Sequence, residues 1–153
     1  RRLASHALNN QLVWAGLVTN QQLVAVEDAM SGVQIDGDLG PVAVDVTTRA
    51  MAMWRTDGIL DAVYPTPFGE LPGSAVIDFA IIDAAAHSWD LSSSVGRPLE
   101  FDPAQILVLT DVVAATCTDA AREHGLIMPP TEAPADATDT ERLMSAAGRA
   151  IRR

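Results

Sequence analysis

Apolar residues recur at steps of three and four over several long stretches of the chain, the spacing that places them on one face of an α-helix. Helix-capping residues, glycines and prolines mark the ends of these stretches. Evidence for strands is thin, because almost no segment alternates apolar and polar residues. The predicted helices are Leu3–Val18, a helix capped by Asp38 that ends near Arg55, a helix that starts after Pro72-Gly73-Ser74 and runs to about Ser94, a helix capped by Asp102 that continues to His124, and a short final helix over Thr140–Arg149.

The segments between these helices are rich in glycine and proline. Residues 20–38 contain Gly32 and Gly37 and are predicted to be mostly loop, and residues 59–69 to be an extended loop or a small hairpin. Residues 129–138, rich in proline, alanine and acidic residues, are predicted to be a surface loop. Short connections favour antiparallel neighbours, so the pattern predicts an all-α bundle of about four helices with a short additional C-terminal helix, forming a single domain over residues 1–153.

Composition excludes several classes of function. The 153 residues include 20 acidic and 10 basic ones, and the net charge of −10 disfavours binding to nucleic acid or to an anionic membrane. No run of about 18 uncharged apolar residues could span a bilayer. All the basic residues are arginine, which excludes a Schiff-base lysine or a phosphate-loop lysine. The single cysteine cannot form an internal disulfide and suits a reducing cytoplasm.

The third long helix carries the most informative polar residues. It is apolar around nearly its whole circumference, as expected of a helix buried on most sides, yet it contains Asp83 and His87 one turn apart. A buried carboxylate needs a partner, and a divalent metal ion would satisfy both groups. An Asp–His hydrogen bond across one helical turn is the alternative, and the spacing alone favours that simpler interpretation.

His6, in the first helix, could complete a metal site. If the first and third helices are neighbours, His6 meets Asp83 and His87, and two imidazoles with one carboxylate leave room for water or substrate on a metal. Taken alone, His6 would more often be a core histidine with a satisfied hydrogen bond. We assign no catalytic residue beyond these three predicted metal ligands.

Four other residues are interpreted as structural. We expect Asp90 to bond a neighbouring loop, Trp89 to pack in the core, and Cys117 to be a buried thiol with no activating neighbour. His124 lies in the last turn of its predicted helix, where the helix dipole favours a cation, and needs no function. The sequence contains no phosphate-binding glycine loop, no G-x-S-x-G and no H-E-x-x-H motif.

The segment around Asp83 and His87 resembles a known family. The pattern D-x-x-x-H-x-W-D-L followed by G-R-P is similar to that of actinobacterial metal-binding proteins related to mycothiol-dependent maleylpyruvate isomerase, within the wider DinB-like four-helix bundles. The resembling segments are Arg2-Leu3-Ala4-Ser5-His6 with Asn10, Phe68-Gly69-Glu70-Leu71-Pro72, Asp83 to Leu91 with Gly96-Arg97-Pro98, Met128-Pro129-Pro130 to Asp139, Glu141-Arg142-Leu143 and Gly148-Arg149.

The resemblance implies a DinB-like bundle with a metal ion held by His6, Asp83 and His87, in the cytoplasm of an organism that uses mycothiol. Zinc is the first expectation, and nickel, iron or cobalt also suit such ligands. Two departures from the family's pattern stand out. The family has a further stretch before the His6 helix, which we expect to be missing from these residues, and the catalytic member of the wider group has glutamate in place of Asp83.

The resulting expectation is a mycothiol-dependent S-transferase or isomerase acting on a small electrophilic substrate. The metal would bind the thiol of mycothiol as thiolate, and the thiolate would attack the substrate, so the protein itself would need no nucleophile. The expected partners are a small-molecule thiol and its substrate, with a homodimer compatible and neither nucleic acid nor membrane involved. The alternatives are a metal-binding module without catalysis and a metal-free bundle in which Asp83 and His87 form a structural pair.

Overall fold

The computed structural model describes residues 1–66 and 69–151, and within them the chain is mostly helical. Phe68, which belongs to one of the segments of the family resemblance, lies outside the described residues, as does Pro67 of the predicted hairpin. In chain order the elements are α1 (Arg2–Thr19), α2 (Val26–Ser31), α3 (Leu39–Trp54), β1 (Val63–Thr66), β2 (Gly69–Pro72), α4 (Gly73–Ser94), α5 (Pro103–Thr116), α6 (Asp119–Glu123) and α7 (Asp139–Ala146).

The predicted predominance of helix is confirmed, and the four longest helices, α1, α3, α4 and α5, begin within a residue or two of their predicted starts. A small hairpin, one of the two alternatives predicted for residues 59–69, is present but extends to Pro72: β1 and β2 pair antiparallel, with Tyr64 opposite Leu71. The arrangement of the long helices as a four-helix bundle of the DinB type stays a prediction. No helix within the described ranges combines the length and apolar character needed to cross a membrane.

The chain divides into two compact units, residues 1–87 and residues 88–153, and the division falls within α4. In the first unit α1 is the central element, because it contacts α2, α3 and β1. Val18, Ile59 and Val76 are buried together at its core, with Trp54, Tyr64 and Leu71 among the side chains packed around them. The ring of Trp14 on α1 stacks on that of Phe79 on α4, with centroids 5.9 Å apart, which ties the start of α4 to α1.

Residues 20–38 are more structured than the sequence predicts, because they contain the short helix α2. Glu27 and Asp28 in its first turn complement the helix dipole, and Gly32 ends it in the left-handed conformation at φ 67°. The loop that follows is tied to α1, since Ser5 Oγ accepts a hydrogen bond from the backbone N–H of Ile35 at 3.0 Å. Gly32 therefore caps α2, a helix that was not predicted because the glycines of this segment indicated a loop.

The helix α3 begins as predicted, because the Asp38 side chain accepts a hydrogen bond from Gly40 N at 3.0 Å. Val46 and Ala50 are buried, whereas Val44 is 69% exposed. A helix with several apolar sides does not reveal from sequence alone which side faces the core.

In the second unit the predicted helix from Asp102 to His124 is interrupted. It ends at Thr116, Cys117 leaves the helical conformation, and the Thr118 hydroxyl accepts a hydrogen bond from Ala121 N at 3.2 Å to start α6. A threonine that caps a new helix competes with continuing the old one, and this is why the single-helix prediction was wrong. The last helix was predicted to reach Arg149 but ends at Ala146.

Candidate functional site

His6, Asp83 and His87, although distant in the sequence, lie side by side in the first unit. The rings of His6 and His87 meet edge to face with centroids 4.8 Å apart. Nε2 of His87 is 3.4 Å from Oδ1 of Asp83, and the two side chains are 14% and 15% exposed. The structure thus brings together all three residues that the sequence singled out, in a half-buried position where a polar cluster is shielded from much of the solvent.

The ring of His6 is oriented by a backbone carbonyl. Its Nδ1 lies 2.6 Å from the carbonyl oxygen of Ala29 on α2, and since a carbonyl can only accept, Nδ1 carries the hydrogen. Nε2, the other ring nitrogen, lies 3.2 Å from Nδ2 of Asn10. Metal-binding histidines usually show this arrangement, with one ring nitrogen donating to a carbonyl while the other remains available.

Two side-chain amides hold the Asp83 carboxylate. Nδ2 of Asn10 donates to Oδ1 at 3.0 Å and also lies 3.2 Å from Nε2 of His6, and Nε2 of Gln11 donates to Oδ2 at 3.4 Å. Asn10 is only 8% exposed. The NH₂ group of Asn10 therefore bridges two of the three predicted metal ligands.

The cluster does not have the form of a metal site. Among residues 1–66 and 69–151, no group of three or more His, Cys, Asp or Glu is arranged so that it could hold a metal ion. Nε2 of His6 and Oδ1 of Asp83 both contact the amide nitrogen of Asn10. Ligation by His6, Asp83 and His87 accordingly stays a prediction, although the types of donor suit a divalent ion.

A small apolar cavity of about 50 Å³ adjoins the cluster between α1 and α2. Asn10 and Ala29, the two residues that contact the His6 ring through hydrogen bonds, are also part of its wall. Such a cavity has room for a few atoms of an apolar group next to the polar side chains.

Sequence reasoning missed part of this site. Asn10 was named only in a segment of the family resemblance and was assigned no role, although its i to i+4 spacing from His6 was an available signal. Gln11 was not identified. The Ala29 carbonyl could not have been found, because a backbone acceptor on α2 leaves no trace in the residue type.

The residues that were interpreted as structural lie in surroundings that agree with a structural role. Trp89 is buried, and Asp90 lies 3.3 Å from Nη2 of Arg149, so it bonds the segment after α7 as expected of a structural residue. Burial raises the pKa of the Cys117 thiol, against smaller opposing effects of the Thr116 hydroxyl, Arg122 and Arg149. A raised pKa keeps the thiol protonated at neutral pH and makes it a poor nucleophile.

Comparison with known proteins gives one limited relationship. Two uncharacterised proteins from strains of Mycobacterium tuberculosis are each 32% identical to this chain over 66 residues, which are 42% of the chain. The chain matches only 36% of the length of each of these relatives. No family model matches the chain, and no solved structure does.

Proposed function

We propose that the chain is a divalent-metal-binding helical protein whose ligands are His6, Asp83 and His87. The observation that carries this proposal is the orientation of His6, whose Nδ1–H is held by the Ala29 carbonyl while Nε2 lies beside the Asn10 amide that also donates to Asp83. The edge-to-face contact of His6 with His87 adds a third donor within reach.

The surroundings of the cluster also support metal binding. The side chains of Asp83 and His87 are largely but not fully covered, which suits a site that strips some water from an ion and still admits a ligand. Gln11 supports the second carboxylate oxygen, as outer partners commonly do for metal-binding carboxylates. Two imidazoles and one carboxylate accept zinc first, and nickel, iron or cobalt as alternatives.

We further propose that the protein belongs to the DinB-like group and acts as a mycothiol-dependent S-transferase or isomerase on a small electrophilic substrate. This step rests on the resemblance of residues 83–98 to the maleylpyruvate isomerase-like family. The mycobacterial source of the relatives agrees with an actinobacterial origin. A divalent ion at this position would supply Lewis acidity that favours the thiolate form of a bound thiol.

In this chemistry the protein would supply the metal ligands and an apolar cavity, and the small-molecule thiol would supply the nucleophile. Cys117 is buried and protonated, so the attacking sulfur would come from the small-molecule thiol. The cavity beside Asn10 would receive an apolar part of the thiol or the substrate. The arrangement therefore requires no nucleophilic side chain from the protein.

A metal-free structural role is the second candidate, and the hydrogen bonds of Asn10 favour it. With the Asn10 amide joining His6 to Asp83, the cluster is already a connected polar network without any ion. A non-catalytic metal-binding module is the third candidate, distinguished from the enzyme only by its lack of thiol chemistry.

Calorimetric titration with Zn²⁺ tests the proposed metal site. We expect one ion per chain for the wild type and no measurable binding for Asp83→Asn, which keeps the shape of the side chain but loses its charge. Asp45→Asn, at an exposed carboxylate on α3, is the matched control and should bind like the wild type. Failure of the wild type to bind would favour the metal-free candidate.

Thiol binding separates the enzyme from the non-catalytic module. Co²⁺-loaded protein carrying Cys117→Ala is titrated with mycothiol, so that the added molecule supplies the only thiol. A new thiolate-to-cobalt absorption band is expected, and its absence in protein that binds Co²⁺ would leave the non-catalytic module.

A further inference from the structure

The small cavity between α1 and α2 has a mostly apolar wall. Among the described residues that line it, Trp14, Leu17, Val26 and Met30 contribute apolar surface, and Asn10 supplies the one amide side chain. Its volume of about 50 Å³ has room for roughly three or four non-hydrogen atoms, at roughly 10–15 Å³ for each water-sized position. Met30 is 70% exposed, which places the cavity next to the surface behind a flexible side chain.

The two polar ends of the Asn10 amide are satisfied unequally. Nδ2 lies 3.0 Å from Oδ1 of Asp83 and 3.2 Å from Nε2 of His6. The carbonyl oxygen of Asn10 has no hydrogen-bond donor among the described residues, although the residue is only 8% exposed. This oxygen is not one of the fully covered unbonded side-chain atoms, so it keeps some accessible surface. Because buried polar atoms are nearly always hydrogen-bonded, the carbonyl marks a position where a donor from outside the chain would bind favourably.

These two features specify the chemistry of a ligand. An apolar group is stabilised when it leaves water for the cavity, and an O–H or N–H on the same molecule would satisfy the Asn10 carbonyl beside it. A water molecule would meet this acceptor and little else in an otherwise apolar wall, whereas buried waters usually make about three hydrogen bonds. A purely apolar molecule would leave the carbonyl unbonded. The cavity therefore favours a small molecule that combines an apolar group with a donor.

We propose that the cavity is a binding site for a short aliphatic group of about three or four non-hydrogen atoms that carries a hydrogen-bond donor, with the donor bonded to the carbonyl oxygen of Asn10. The nitrogen of Asn10 keeps its contacts with Asp83 and His6 in the bound state. This site extends the use proposed above for the cavity by naming the chemistry of its ligand, and it requires no metal ion.

NMR titration of metal-free, ¹⁵N-labelled protein with 2-propanol and with acetone tests the site. The two probes have the same number of non-hydrogen atoms, but only the alcohol can donate a hydrogen bond. We expect saturable shifts of the Trp14 indole N–H and the Ala29 amide with 2-propanol, at the millimolar affinity that so small a ligand allows. Acetone should bind about threefold to tenfold more weakly, the usual effect of losing one hydrogen bond.

A cavity-filling variant tests the location. Ala29 is buried in the cavity wall, and Ala29→Leu adds three carbon atoms there, so the variant should lose the binding of both probes. Ala52→Leu makes the same change at an exposed position of α3 and should bind like the wild type. Circular dichroism confirms that each variant is folded, and the comparison of the two probes needs only the wild type.

Asn10→Leu tests the role of the carbonyl, because leucine has nearly the same shape but no acceptor. The variant should bind acetone at least as well as 2-propanol. Asn9→Leu, at the adjacent buried asparagine whose side chain bonds Val33 instead, is the matched control and should keep the preference for the alcohol.

Three results would overturn the inference. They are equal affinities of the wild type for the two probes or shifts that do not saturate, unchanged binding of 2-propanol in folded Ala29→Leu, and a preference for the alcohol that persists in folded Asn10→Leu. Since no metal is added, each of these results is independent of the Zn²⁺ titrations that test the proposed function.

Discussion

The amide nitrogen of Asn10 lies 3.0 Å from Oδ1 of Asp83, a contact that joins α1 to α4 across 73 positions of the sequence. The same nitrogen reaches His6, so one side chain links the imidazole and the carboxylate that the sequence marked as candidate ligands. An ion that binds between His6 and Asp83 must displace the contacts that Asn10 makes with both residues.

Asp78, one turn and a half before Asp83 on α4, should make folding pH-dependent. Burial raises the pKa of its carboxyl above the ordinary 3.8, so the ionised form disfavours the folded state. Its contribution to stability is therefore fully present below pH 3.8 and is lost as the pH rises through the raised pKa. Asp78→Asn should raise the urea midpoint at pH 7 and change it little near pH 3. A midpoint at pH 7 below that of the wild type would contradict this, and Asp45→Asn is the exposed control.

The capping box of α7 gives a second prediction. The Thr138 hydroxyl accepts a hydrogen bond from Glu141 N at 3.2 Å, and the Glu141 carboxylate accepts one from Thr138 N at 2.9 Å. Thr138→Ala should lower the free energy of unfolding by about 1 kcal/mol, as typical for the loss of such a cap. Thr138→Ser keeps the hydroxyl, so its free energy of unfolding should fall much less. Urea titration of both variants measures the difference. Equal stability of the alanine and serine variants would count against the cap.

Gly73, where the hairpin passes into α4, should not tolerate a side chain. Its N–H donates to the Ala62 carbonyl at 2.8 Å, and a Cβ at this position would overlap the carbonyl of Ile59. Gly73→Ala should destabilise the protein by about 2–3 kcal/mol, the cost of forcing extra atoms into a packed site. Gly40→Ala, in the first turn of α3, meets only an ordinary contact and should be neutral or slightly stabilising. Chemical unfolding that ranks the two variants in the opposite order would disprove this packing.

Cys117 should react slowly with thiol reagents. Its raised pKa lowers the fraction of thiolate at pH 7, about tenfold for each unit by which the pKa rises, and its burial limits access. Alkylation of native protein at pH 7 should therefore be much slower than alkylation in urea, and should accelerate as the pH is raised. Equal rates in native and unfolded protein would show that the thiol is not protected.

The elements with strong local signals could be predicted from the sequence. Asp38 and Asp102 mark the starts of α3 and α5 because each caps the helix that follows with its own side chain. The break at Cys117 could not be predicted in the same way, since Thr118 fits a helix interior as well as a cap and the surrounding alanines favour helix on both sides.

The candidate site was predictable to the extent that it depends on residue type. The i to i+4 spacing placed Asp83 beside His87, and the three histidines of the chain left few choices for a third ligand. The pairing of α1 with α4 had to be assumed. The roles of Gln11 and of the Ala29 carbonyl depend on tertiary packing, which no spacing within one helix encodes.

The metal content of purified protein tests the central claim most directly. Wild type, His87→Ala and His124→Ala are each incubated with Zn²⁺, freed of unbound ions and analysed for metal per chain, with His124, the C-cap residue of α6, chosen because it is not one of the proposed ligands. We predict about one ion per chain for wild type and His124→Ala and almost none for His87→Ala. A wild type without metal, or a His87→Ala variant that retains it, would contradict the proposed site.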